Sequence, residues 1–126
     1  MTLERWYVSG GIKGIPEHRD NFAKGVEEVE EMGYKAVNPL DIGACHSNPT
    51  LDCIHPGELL ETGHTWQCYM RYDIAILVFC QGIYMLQGWE KSKGATEELR
   101  IAQGLGLSIK FQPKFILTAD SLVLHG

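Results

Sequence analysis

Three glycines fall within five residues, Gly10, Gly11 and Gly14, directly after the apolar run Arg5-Trp6-Tyr7-Val8-Ser9. Glycine reaches positive φ without a steric cost, so this spacing is a loop and cannot continue either a strand or a helix. On its near side, Arg5 to Ser9 reads as a short strand. On its far side, Glu17 to Met32 reads as a helix, with Phe22, Val26, Val29 and Met32 at spacings of four and three on one stripe. Gly33 ends that helix as a C-terminal cap, and Tyr34 to Asn38 forms a second strand stopped by Pro39. A strand–loop–helix–strand opening predicts a parallel pair joined by a right-handed crossover. In such sheets ligands bind beyond the carboxyl ends of the strands, which is where the glycine loop lies.

The remaining chain continues this pattern. Residues 39–57 read as irregular, with Pro39, Gly43, Pro49, Pro56 and Gly57. Glu58 to about Phe79 reads as a second helix, or two short ones broken near Gly63. Trp66, Met70, Ile74 and Leu77 share its face, although Ile74 to Phe79 alone could also be a buried strand. Ile83 to Leu86 makes a third strand. Gly94 to Gly104 makes a third helix capped by Ser92, Leu107 to Phe111 a fourth strand, and Lys114 to Leu117 a fifth. The expected fold is α/β: a single three-layer α/β/α domain over residues 1–126. It has a four- to five-stranded, mainly parallel, flavodoxin- or Rossmann-like sheet, with 39–65 as a long variable loop segment.

Composition narrows the function. The chain has 126 residues, one domain's worth, and 44% hydrophobic against 21% charged residues, a globular balance. Eleven Lys and Arg against sixteen Asp and Glu give a net charge of -5. That balance argues against a broad surface for polymeric nucleic acid, but leaves room for one nucleotide held by backbone N–H groups. No apolar run reaches the roughly 18 residues that span a bilayer, and no leader peptide is expected. The expected location is cytoplasmic, away from membranes, where the four cysteines would be thiols. Gly10-Gly11-x-x-Gly14 lacks the full dinucleotide fingerprint, so no nicotinamide cofactor is expected.

Three short motifs converge on one end of this sheet. They are Tyr7-Val8-Ser9-Gly10-Gly11 with Lys13, Tyr69-Met70-Arg71-Tyr72-Asp73, and Gly88-Trp89-Glu90-Lys91-Ser92-Lys93-Gly94-Ala95-Thr96-Glu97-Glu98. Together with Asn38-Pro39 after the second strand, they resemble the nucleoside 2-deoxyribosyltransferases and the related deoxynucleoside 5'-monophosphate N-glycosidases. The likeness is to small phage and bacterial members of that superfamily and runs from residue 5 to about 111. The resemblance implies that Glu98 is a nucleophile attacking the anomeric carbon, that Asp73 handles the base, and that Tyr7 positions the nucleophile or the sugar. It implies that Ser9, Gly11 and Ser92 hold a 5'-phosphate, aided by Lys13. Gly10, Asn38, Trp89 and Gly94 join the expected substrate-binding set. An anion beneath an oxocarbenium-like transition state, with a second acid for the departing base, is sound chemistry for this bond.

Function is therefore expected to be base–sugar bond cleavage in a (deoxy)nucleoside or its 5'-monophosphate, by a homo-oligomer that needs no cofactor. The alternative is a module that binds a nucleotide and returns it unchanged; a weaker reading is an interaction protein using the middle segment. Gln81 follows Cys80 where relatives carry an aspartate, and the middle segment aligns with nothing in the family pattern. That segment holds Cys45-His46, Cys53-Ile54-His55, and His64 with Cys68 one helical turn later. Thiolates and imidazoles suit zinc, but no Cys-x-x-Cys pair occurs and the spacing matches no standard finger. The expectation is no metal: scattered loop cysteines and surface histidines.

Overall fold

The computed structural model describes residues 2–48 and 50–114. Strand β1 (Arg5–Ser9) leads to helix α1 (His18–Glu31) and strand β2 (Lys35–Val37). After a long irregular segment come α2 (Trp66–Leu77), β3 (Gly82–Met85), α3 (Lys93–Gly104) and β4 (Ser108–Phe111). The four strands form one sheet in the order β2-β1-β3-β4, and every pair is parallel. The order reverses direction between β1 and β3, which opens a crevice at their carboxyl ends.

The layers follow from the two-residue period of a strand. Trp6 and Val8 of β1, with Tyr84 and Leu86, pack against Phe22 and Val29 of α1. The alternate residues, Tyr7 of β1 with Ile83 and Met85 of β3, pack against Leu77 of α2 and Ala95, Leu99 and Ala102 of α3. One helix therefore covers one face and two cover the other, a three-layer α/β/α domain. Two glycines permit the close packing. A Cβ on Gly25 would meet Leu86 Cδ2 at 2.6 Å, so α1 rests directly on the sheet. A Cβ on Gly82 would meet the Trp6 indole at 2.3 Å, so the indole lies across the neighbouring strand and stacks on Tyr34 at 4.7 Å between ring centroids.

The expected elements appear with small changes at their ends. Helix α2 runs from Trp66 and is C-capped by Val78, as the shared face of Trp66, Met70, Ile74 and Leu77 implied; the strand reading of Ile74 to Phe79 is not realised. The stretch 58–64 is not helical. Gly63 turns with φ +82°, and an isolated antiparallel bridge joins Leu59 to Thr65. Thr65 then caps α2, its hydroxyl accepting from the Cys68 N–H at 3.0 Å. Met32, assigned to the buried stripe of α1, lies exposed at the helix end. The anticipated fifth strand falls mostly outside the described residues. No helix among the described residues is long and apolar enough to cross a membrane.

Candidate functional site

The site is built on β1. Residues alternate along the strand, so Tyr7 and Ser9 both face the layer that contains α3. Both are fully buried. From α3, Glu98 points back at them from the second turn, on the same face as Ala95, Leu99 and Ala102. The Tyr7 hydroxyl donates to Glu98 Oε2 at 2.5 Å, and the Ser9 hydroxyl donates to Oε1 at 2.7 Å. Each carboxylate oxygen thus has its own donor, which satisfies a charge that would otherwise be costly to bury. Burial raises Glu98 to about 6, although both hydroxyl donors pull it down.

Asp73 lies on α2, half-buried. Burial first, and then the negative charge of Glu98, raise it to about 7. A carboxyl partly withdrawn from water beside another negative charge holds its proton more tightly than a free one. Burial and the two nearby carboxylates also hold the Tyr7 phenol well above its usual range, so it stays a donor. Glu97, adjacent to Glu98 in the chain, instead forms a partly exposed ion pair with Arg100 at 2.8 Å.

The glycine loop meets the start of α3. A Cβ on Gly11 would lie 3.8 Å from Ser92 Cβ, so the loop and the helix N-terminus are neighbours. Ser92 is the N-cap, its Oγ accepting from the Ala95 N–H at 3.1 Å. Gly94 lets α2 approach: a Cβ there would stand 3.4 Å from Met70 Sδ and 3.7 Å from Trp66 Nε1. Gly10 is buried against Leu86, and Lys13 is exposed on the loop. Asn38 follows β2, its side chain accepting from the Leu40 N–H at 3.0 Å.

The structure therefore brings Tyr7, Ser9, Glu98 and Asp73 together, with the glycine loop and Ser92 beside them. Two assignments change character. The Ser9 hydroxyl, expected at a phosphate, is engaged by Glu98. Trp89, expected at the substrate, packs against the core layer and against Phe111 at 5.8 Å between ring centroids. Concavities lie on two parts of the described surface, among others. One is lined by Lys24, Gln87 and Gln112 beyond β3, the other by Trp66, Met70, Arg71, Glu97 and Ile101 between α2 and α3. Neither is lined by Glu98 itself.

The middle segment departs most from expectation. One ligand atom each from Cys45, Cys53, His55 and Cys68 lie within 4.8 Å of one another, and so do those of Cys45, His46 and His64. The sequence offered these donor types but no standard zinc spacing, and the chain path through the turn at Gly63 and the bridge from Leu59 to Thr65 accompanies their gathering.

A family model described as "Domain of unknown function (DUF4406)" matches residues 4–111, which includes every described strand and helix. A search of curated proteins finds no match.

Proposed function

Proceeding from a chain that belongs to this DUF4406 family, we propose that it cleaves the base–sugar bond of a nucleoside or nucleoside 5'-monophosphate through Glu98. The observation that carries this reading is the paired donation of Tyr7 and Ser9 to a buried glutamate beside a second, proton-holding carboxyl. At pH 7 a carboxyl titrating near 6 is mostly an anion, while one near 7 still carries its proton about half the time. That is the division of labour a retaining glycosidase needs.

In the proposed reaction a Glu98 oxygen attacks the anomeric carbon and forms an ester as the C–N bond breaks. The bonding pair leaves with the base, and Asp73 supplies the proton that neutralises it. Asp73, now ionised, takes a proton from water, whose oxygen attacks the anomeric carbon and releases Glu98. A second base in place of water would make the reaction a transfer. Tyr7 and Ser9 hold the nucleophile in one orientation throughout. The backbone N–H groups at Ser92 and the neighbouring glycine loop suit a 5'-phosphate, and exposed Lys13 adds charge.

The proposal includes a homo-oligomer. Glu98 is nearly closed off in a single chain, while Ile76, Val78 and Phe79 at the end of α2 are exposed apolar side chains.

The test is a chromatographic assay of purified protein against the common nucleosides and their 5'-monophosphates, with Glu98→Gln in parallel. Free base released by the wild type and reduced at least about a thousandfold in the variant is expected. Equal release by both removes Glu98 from the mechanism. No release from any substrate, with a nucleotide recovered unchanged from the denatured protein, favours the binding module instead.

A further inference from the structure

Among the described residues of 42–65 there is no helix or strand beyond one isolated bridge, yet Cys53 and His64 are buried. Such a segment leaves backbone groups to satisfy and offers little apolar area in return. Something other than regular structure must fix it.

The side chains that converge here are thiols and imidazoles. The Cys45, Cys53 and Cys68 sulfurs and a His55 ring nitrogen are mutually within 4.8 Å. Four ligands around a tetrahedral zinc, at about 2.3 Å for sulfur and 2.0–2.1 Å for nitrogen, stand roughly 3.5–3.8 Å apart, so a small contraction would close the set. His55 Nδ1 is buried and has no hydrogen-bond partner, the same being true of both ring nitrogens of His46. An unpaired buried nitrogen is costly, and a metal would satisfy it. No disulfide joins the cysteines.

Backbone groups face two of the sulfurs. Cys68 sits in the first turn of α2, where the helix dipole favours negative charge. The Thr65 N–H donates to Cys53 Sγ at 3.4 Å. His64 Nδ1 lies 3.5 Å from Cys45 Sγ and 3.6 Å from Cys68 Sγ. Protonated there, it would donate to both, offsetting the surplus negative charge of three thiolates around a divalent ion.

We infer that Cys45, Cys53, Cys68 and His55 bind one zinc ion, a structural centre that staples the middle segment to the start of α2. All four protein ligands fill a tetrahedral shell and leave no open position for chemistry. Binding would release a proton from each thiol that loses one. The ion would fix the N-terminus of the helix that carries Asp73, although its binding does not require any particular substrate at Glu98.

The test uses the full chain, grown with zinc and purified without chelator. Elemental analysis is expected to find about one zinc per chain. Exchange with cobalt(II) is expected to give thiolate-to-cobalt charge transfer in the near ultraviolet and the strong visible bands of a tetrahedral site. Cys45→Ser, Cys53→Ser and Cys68→Ser should each lose the metal, and His55→Ala should weaken the visible bands. Cys80→Ser, a buried cysteine outside the cluster, should retain them. If the cysteine variants do not fold, stoichiometry and the cobalt spectrum of the unaltered chain still decide. Folded wild type with less than about a tenth of a zinc per chain and no cobalt–thiolate absorption overturns the proposal. A full-strength spectrum in His55→Ala, with loss in His64→Ala, overturns the ligand set.

Discussion

The Tyr7 hydroxyl donates to Glu98 Oε2 at 2.5 Å, joining β1 to α3 across 91 positions of sequence. The bond places a phenol that stays protonated against a carboxylate that burial pushes toward neutrality. Tyr7→Phe keeps the ring and removes only this donor. Without it Glu98 becomes harder to ionise, because that hydrogen bond favours the anion. The expected result is roughly a ten- to hundredfold fall in base release at pH 7. The acidic limb of the pH profile should move upward; an unmoved limb would show that Tyr7 does not act through Glu98.

Base release itself should depend on pH as a bell. Activity needs Glu98 ionised and Asp73 protonated, and these titrate near 6 and 7. Activity should therefore fall below about pH 6 and above about pH 7, with the two limits belonging to the pair because the charges interact. Steady-state rates across pH 5 to 9 measure this. Asp73→Asn should remove most of the rate when the base is a poor leaving group, and less when it leaves easily.

Stability should respond to the same groups with a definite sign. Asp73 is raised from 3.8 to about 7, so the folded state binds its proton more tightly than the unfolded state. Its penalty is smallest at acidic pH and grows as pH rises from about 4 through 7, where the buried group ionises. Asp73→Asn abolishes that penalty. The variant's melting temperature should exceed the wild type's by more at pH 8 than at pH 5. Thermal melts of both proteins test it, and a pH-independent difference would contradict the raised value.

Packing at Gly82 gives a prediction outside the site. A Cβ there would fall 2.3 Å from the Trp6 ring, which is buried and stacked on Tyr34. Gly82→Ala should destabilise the protein by about 1–3 kcal/mol, since the indole has no open space to enter. Gly104→Ala is the control, because nothing lies within 4 Å of its added Cβ. Urea titrations of the two variants separate close packing from a general effect of losing glycine.

A smaller effect is expected at the start of α3. Ser92→Ala removes the acceptor for the Ala95 N–H and should cost about 1 kcal/mol. If Ser92 also borders a phosphate site, the variant should raise KM for a 5'-monophosphate more than for the free nucleoside.

The sequence by itself determined the order and type of the four described strands and of α1, α2 and α3, but not the non-helical path of 58–64. Its glycine loop, the stripe on α1, the face of α2 and the Ser92 cap are local signals, written in residues three or four apart, and local backbone physics reads them directly. Tyr7, Asp73 and Glu98 were named as partners by the resemblance that its motifs carry. Only the tertiary structure decided what those partners do to one another. Glu98 titrates high because a packed layer removes water from it, and Ser9 turns to the carboxylate because β1 alternates toward α3. The same holds for the middle segment, which carries no periodicity for local rules to use. Cys45, Cys53, His55 and Cys68 are scattered in sequence and meet only because one turn at Gly63 and one bridge at Thr65 fold the loop back onto α2. Contacts of that kind depend on chain path rather than on spacing.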